Sequence, residues 1–171
     1  TEGFEPDVVY TSRLRRAIVA AWNVLETMDS LFLPVRKTYR LNQRMYGALQ
    51  GLSKQDTANE FGPEVVSAWR NSLKARPPIL SRDDPGHPRF DPRYADLPQD
   101  RIPDTESLLE CQDRARALWE HKIRREIENG KTVLVVAHRD SLRGLSKVID
   151  GIGDKQILEI AFPSGIPVVY K

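Results

Sequence analysis

One apolar run near the carboxyl end restricts the fold of this chain more than any other feature. It begins at Thr132 and ends at Ala137, it follows Gly130, and it is rich in β-branched residues. A continuous run of this kind is typical of a strand that is buried on both faces of a parallel or mixed sheet. His138 comes directly after it, and apolar residues at helical spacing follow. The sequence therefore predicts a strand–turn–helix unit with a histidine at the carboxyl end of the strand.

His138 is a candidate functional residue because of this position. Ligands of open α/β sheets bind at the carboxyl ends of the strands, where the amino termini of helices present free N–H groups to anions. A core histidine that is satisfied by its neighbours is equally compatible with the same stretch. Its position in the sequence does not separate the two interpretations.

The remaining elements alternate between strand and helix patterns. Helical spacing covers residues 14–28, 53–62, 63–73, 105–129 and 142–149, with a short turn near residues 157–158, and strand patterns cover residues 8–10, 31–41 and 166–170. We expect Thr11 or Ser12 to cap the first helix and Ser53 to cap the second. This alternation favours a three-layer α/β fold with right-handed crossovers, formed by residues 1–171 as a single domain.

Two segments interrupt this regular pattern. Residues 75–104 contain seven of the twelve prolines and show no periodicity, which is more typical of a functional covering loop than of a linker. Arg13, Arg15 and Arg16 lie at the amino end of the first helix, where the helix dipole favours acidic residues. The three arginines either bind an anion or form a solvated basic turn.

Composition excludes several classes of function. The net charge of +2 is too small to indicate nucleic-acid binding, and the basic residues lack the interleaved aromatic residues of single-strand binders. The single cysteine, Cys111, excludes an internal disulfide and multi-cysteine zinc motifs, and no metal is expected. No apolar run approaches the roughly 20 residues of a membrane span. We expect a cytoplasmic protein or one in a reducing organelle lumen or matrix. No targeting segment is visible, although one could precede Thr1.

Six tracts then occur in one order and resemble a known family: YTSRLRRA (10–17), RLNQRMYGALQG (40–51), DPRYA (91–95), TESL (105–108), AHRDSLR (137–143) and PSGIP (163–167). Together they resemble the cofactor-dependent phosphoglycerate mutases of the histidine phosphatase superfamily, and the resemblance covers nearly the whole chain. It implies a three-layer α/β/α phosphoglycerate mutase-like fold. It also implies a glycolytic isomerase reaction, in which 3- and 2-phosphoglycerate interconvert through a phosphohistidine. The implied primer is 2,3-bisphosphoglycerate, with no metal and no permanently bound cofactor.

The resemblance also implies roles for individual residues. It places Arg16 and His138 at the transferring phosphoryl group. It implies that the rest of a phosphoglycerate-type anion is held by Tyr46, Lys54 and Arg70, with Arg44 nearby. The chemistry of the reaction needs a histidine that takes the phosphoryl group, cations that spread its charge and an acid–base group that moves the hydroxyl proton.

Several positions depart from the family pattern, all in the implied site. The family's Arg-His-Gly tract does not occur in the 171 residues. The acid–base glutamate is replaced by Gln43, and loss of such help typically costs about 10²–10⁴ in rate. Asn71 replaces a substrate-binding arginine, Arg139 replaces a glycine that lets backbone approach phosphate, and Asp140 replaces an asparagine. Arg139 could instead restore the charge lost at Asn71 by pairing with Asp140.

These departures leave two explanations, which are compatible. The chain is either a catalytically impaired or inactive pseudoenzyme, kept as a scaffold subunit of a larger assembly, or an Arg-His-Gly strand precedes Thr1 in a longer protein. In the family that strand lies at the sheet centre beside residues 132–137. Without it, unpaired backbone groups there would cost roughly 1–3 kcal/mol each. We therefore expect a partner protein or a further chain segment beside this run. A homo-oligomer, which many mutases form, is a further expectation.

Overall fold

Three parallel strands organise the fold, and the strand nearest the amino terminus is central. The computed structural model describes residues 3–171, apart from the side chain of Lys54. The strands are β1 (Val8–Thr11), β2 (Val35–Lys37) and β3 (Val133–Val136), in the order β2-β1-β3. Val9 of β1 lies opposite Val35 of β2 and Leu134 of β3.

The helices pack on both sides of this sheet. They are α1 (Arg15–Thr27), α2 (Lys54–Phe61), α3 (Pro63–Asn71), α4 (Leu108–Leu118), α5 (Arg124–Glu128), α6 (Arg139–Ile149) and α7 (Gln156–Glu159). A π-helical turn, Trp119–Ile123, joins α4 to α5 without a break. The irregular segment 75–104 contains only single turns of 3₁₀ helix.

The alternation of side chains along the strands separates two cores. Val8 and Tyr10 face one side of the sheet, where they join a cluster that includes Ala115 of α4 and Leu145 of α6. Val9 faces the other side and joins a cluster with residues of α1. Because successive side chains of a strand point to opposite faces, one short sheet supports both layers. The predicted α/β/α layering is confirmed.

Local sequence signals placed several helix ends correctly. The Ser53 hydroxyl accepts a hydrogen bond from the Asp56 N–H at the start of α2, and Gly62 and Pro63 separate α2 from α3 as expected. The predicted cap of α1 is wrong, because Leu14 occupies the N-cap and makes no side-chain bond. The long helix begins at Leu108 rather than at residue 105, after a capping box formed by Ser107 and Glu110.

Two strand predictions are wrong in extent or existence. The pattern at residues 31–41 forms only the three residues of β2, since Tyr39–Leu41 turns into a 3₁₀ helix. The predicted strand at residues 166–170 is absent among the described residues. Its apolar side chains are exposed, and Tyr170 is attached to α6 through hydrogen bonds with Ser146 and Asp150. A strand needs a neighbouring backbone to pair with, and this segment has none within residues 3–171.

The far side of β3 carries no strand in the described part of the chain. β3 pairs with β1 on one side, and all four of its residues are half-buried, so the deeply buried strand is β1 and not β3 as the apolar run predicted. The further chain segment or partner expected beside residues 132–137 stays a prediction. Across the described chain, every helix is too short or too polar to cross a bilayer.

Candidate functional site

His138 lies between β3 and α6 and is held by two side chains from the turn that begins α1. The Arg16 Nε–H donates to His138 Nδ1 at 3.3 Å, and the Ser12 Oγ lies 2.8 Å from His138 Nε2. An arginine is always protonated, so Nδ1 must be the accepting nitrogen. The neutral ring then carries its proton on Nε2 and donates it to Ser12. The strand-end histidine and the arginine of the helix start therefore meet in one place.

The surroundings of His138 keep its imidazole neutral. Burial and the positive charges of Arg16 and Arg114 lower its pKa from 6.5 to about 4. In this tautomer the nitrogen that faces Ser12 carries a proton, so Ser12 and His138 are not arranged as a nucleophile and its general base. The imidazole N–H is already donated to Ser12, so an anion at this point would be bound by the Nη groups of Arg16.

Gln43 and Asp140 form a direct contact. The Gln43 Nε2–H donates to Asp140 Oδ2 at 2.6 Å, and the Asp140 side chain is only 2 % exposed. Arg44 and Arg139 flank the carboxylate at 3.8 and 3.5 Å. The expected pairing of Arg139 with Asp140 is therefore present. The repulsion of a phosphate by Asp140 is reduced, because two guanidinium groups and one amide already surround its charge.

Arg44 is a buried cation with incomplete hydrogen bonding. Its side chain is 0 % exposed, its Nη2 donates a long 3.4 Å bond to the Arg70 carbonyl, and its guanidinium lies 4.5 Å from the centre of the Tyr46 ring. Within the described residues, its Nε and Nη1 have no hydrogen-bond partner. Asp140, 3.8 Å from Nε, offsets the charge of Arg44 but accepts no hydrogen bond from it. Buried donors without a hydrogen-bond partner are costly, so this arrangement is suited to an anion that arrives from outside.

A cavity of about 360 Å³ adjoins these groups. Its polar lining includes Arg16, Gln43, Arg44, Tyr46 and Arg70. The Arg70 guanidinium lies 5.5 Å from the Tyr46 ring, so Arg44 and Arg70 share one aromatic side chain. Arg16 connects this cavity with His138, which does not line it. Five residues that the sequence analysis assigned to one site therefore line one cationic cavity in the structure.

Four predicted site residues with described side chains do not line the cavity: His138, Asp140, Asn71 and Arg139. Asn71 is exposed and bonds with Ser67 on its own helix, while Arg139 is exposed beside Asp140. The side chain of Lys54 lies outside the described residues. The basic cluster at the start of α1 also divides. Arg13 forms an ion pair with Asp96 of the irregular segment, and only Arg16 turns towards His138.

Sequence reasoning missed the residues that hold the site in place. Arg114 of α4 donates to Glu106 at 2.7 Å and to the carbonyl oxygens of Tyr39, Arg40 and Gln43. Glu106 in turn accepts a bond from the Met45 N–H. This ion pair fixes both sides of the Gln43–Arg44 segment. The only signal in the sequence was two opposite charges eight residues apart near the start of a helix, which does not indicate their long-range partners.

Comparison with protein families gives a match over almost the whole chain. Residues 1–85 and 83–165 match the family described as "Histidine phosphatase superfamily (branch 1)". The match covers β1 to β3 together with His138, Arg16 and the cavity residues.

Solved structures with the same fold are phosphatases or related proteins. A mycobacterial glucosyl-3-phosphoglycerate phosphatase in complex with inorganic phosphate has a TM-score of 0.64 and 22 % identity, over 92 % of this chain and 65 % of that one. An alpha-ribazole phosphatase from Shigella flexneri has a TM-score of 0.58 and 22 % identity, over 92 % and 63 %. Bacillus stearothermophilus YhfR has a TM-score of 0.61 and 20 % identity, over 99 % and 66 %. The chain thus spans slightly less than two thirds of each of these structures.

Proposed function

The chain belongs to the histidine phosphatase superfamily, branch 1, and we propose that it binds a phosphomonoester anion in the cavity beside Arg44. The proposal has a second part: with its present residues, the chain transfers phosphoryl groups poorly or not at all. The observation that carries the proposal is the buried guanidinium of Arg44, whose Nε and Nη1 lack partners among the described residues. Arg16 and Arg70 add two further cations to the same lining. Planar guanidinium groups match phosphate oxygens in charge and geometry.

Phosphoglycerate is the first ligand to test, because the residues that line the cavity include those that the mutase resemblance assigns to it. A primer such as 2,3-bisphosphoglycerate carries a second phosphate for the same cations. The comparisons support the superfamily rather than the mutase specifically. The names of the similar structures identify phosphatases of other phosphomonoesters.

The poor-catalysis part of the proposal rests on Gln43. A carboxamide does not exchange protons near neutral pH, and this one is engaged with Asp140. Removal of general acid–base help typically lowers the rate about 10²–10⁴-fold. His138 is also held as a neutral hydrogen-bond donor rather than as a free nucleophile.

Calorimetric titration with inorganic phosphate and 3-phosphoglycerate tests the binding. We expect Arg44→Met to weaken both ligands about 10–100-fold, since hydrogen bonds to charged groups contribute about 1.5–3 kcal/mol. Arg116→Met is the matched control, because Arg116 is an exposed arginine of α4 that pairs with Asp113 outside the cavity. Equal affinities for the wild type and Arg44→Met would refute the proposal. Turnover of 3-phosphoglycerate at a rate typical of enzymes would refute its second part.

A second candidate, a non-catalytic scaffold, is favoured by one observation. β3 has hydrogen-bonding groups on the side away from β1, and no strand of the described chain pairs with them. A strand from a partner or from a further chain segment would satisfy these groups. Amide hydrogen exchange of Val133–Val136 in the longest available form of the protein tests this. Slow exchange at all four residues is expected if a strand docks there, whereas fast exchange at alternate residues would contradict the scaffold interpretation.

A further inference from the structure

The apolar half of the cavity lining points to the kind of group that the bound phosphate carries. The irregular segment 75–104 contributes Tyr94, Leu97 and Ile102 to this lining, and the segment that follows Tyr46 contributes Leu49 and Leu52. A three-carbon sugar acid such as phosphoglycerate is polar on every side and gains nothing from such a wall. The volume of about 360 Å³ lies within the range of pockets that accept drug-sized ligands.

The apolar wall is held by polar contacts of the irregular segment. The buried ring of His87 bonds through Nε2 to Asp104 at 3.1 Å, and the Asn42 amide donates to the Tyr94 hydroxyl at 2.8 Å. Asp96 pairs with Arg13 at the start of α1. These contacts fix the segment at several points, so Leu97 and Ile102 line the cavity without needing a ligand to position them. A wall that is already in place costs little to order on binding.

We propose that the ligand of this site is a phosphomonoester with an apolar, ring-sized organic group, bound with its phosphate at Arg44 and Arg70 and its organic group against Leu52 and Leu97. This inference rests on the proposed binding of a phosphomonoester and specifies its class. The cations select the phosphate, whereas the apolar wall selects among phosphate esters. Burial of a ring removes much more apolar area from water than a glycerate backbone can offer.

Calorimetric titration of the protein with three probes tests the inference: inorganic phosphate, 3-phosphoglycerate and 1-naphthyl phosphate. We expect 1-naphthyl phosphate to bind at least roughly tenfold more tightly than the other two. Leu97→Asn should remove this preference and leave the affinity for inorganic phosphate unchanged. Leu52→Asn should do the same, and because Leu52 is 46 % exposed its replacement does not threaten folding. Leu31→Asn, at an exposed leucine outside the cavity, is the control.

The outcomes distinguish failure of this inference from failure of the proposed phosphomonoester site on which it rests. Binding of inorganic phosphate and 3-phosphoglycerate with no preference for the naphthyl ester overturns the apolar-group inference alone. An equal effect of Leu97→Asn and Leu52→Asn on all three probes also overturns it, because the wall would then act only on the fold. Absence of binding by all three probes overturns the proposed phosphomonoester site itself.

Discussion

The neutral state of His138 makes the stability of the fold depend on pH in a predictable direction. In the unfolded chain a histidine titrates near 6.5, whereas in the folded protein burial and Arg16 lower the pKa of His138 to about 4. Between these two values the unfolded chain binds a proton that the folded protein does not. The free energy of unfolding therefore falls as the pH decreases through this window. The stability that comes from the neutral state of His138 is fully present above pH 6.5.

The size of the effect follows from the separation of the two pKa values. One pKa unit corresponds to about 1.4 kcal/mol, so His138 should account for a loss of about 2 kcal/mol between pH 7 and pH 5, and of about 3 kcal/mol by pH 4. Urea unfolding of the wild type and His138→Gln at several pH values measures it. The variant keeps an amide near the Ser12 hydroxyl but has no group that titrates in this range. The difference in unfolding free energy between the two proteins isolates His138 from every other titrating residue.

A constant difference between the two proteins from pH 7 to pH 4.5 would refute this reasoning, and so would a difference that grows in favour of the wild type as the pH falls. Added phosphate gives a further check. An anion next to the ring favours the imidazolium and raises the pKa of His138 in the folded protein towards 6.5, so saturating phosphate should reduce the loss of stability between pH 6.5 and pH 4. Potassium chloride at equal ionic strength is the control for general screening.

Three further substitutions test particular contacts by urea unfolding at pH 7. Gln43→Glu places a second carboxylate at hydrogen-bond distance from Asp140, so it should destabilise the fold by about 1–3 kcal/mol. The added change Asp140→Asn should recover most of this loss, and independent effects of the two changes would contradict the contact. Glu106→Ala leaves Arg114 buried without its carboxylate, and a decrease of about 3–5 kcal/mol in the free energy of unfolding is expected. A decrease below about 1 kcal/mol would show that the carbonyl contacts of Arg114 are enough to stabilise its buried charge. Gly144→Ala sets a methyl group 2.8 Å from the Cα of Gln112 and should lower the free energy of unfolding by about 1–3 kcal/mol, because it pushes α6 away from α4. Gly153→Ala, whose methyl group would have its nearest neighbour at 3.6 Å, should be nearly neutral, and equal losses for the two variants would argue against the close packing.

The parts of the fold that the sequence predicted are those with strong local signals. β3, His138 and α6 follow one another along the chain, and Ser53, Gly62 and Pro63 mark helix ends by their own conformational preferences. The approach of Arg16 to His138 was expected only through the family resemblance. Periodicity alone located each residue at an element end but not beside the other.

The contacts that the sequence did not reveal join distant segments. Gln43 and Asp140 are 97 residues apart, and Ser12 and His138 are 126 apart. The burial of Arg44 likewise depends on how the Gln43–Arg44 segment rests on α4, which Glu106 and Arg114 decide. Strand patterns also mislead where pairing is concerned, because residues 166–170 have the composition of a strand but lack a neighbour within the described chain. Such features depend on tertiary geometry, which single-residue preferences do not contain.

The hydrogen bond between Gln43 and Asp140 has a consequence for the history of this site. The mutase resemblance implies a glutamate at residue 43 and an asparagine at residue 140, whereas this pair consists of a carboxamide at 43 and a carboxylate at 140. A glutamate at residue 43 alone would set two acids against each other, whereas an asparagine at residue 140 alone would leave two amides that can still share a hydrogen bond. The two changes are therefore tolerated in one order only, with residue 140 first and residue 43 second.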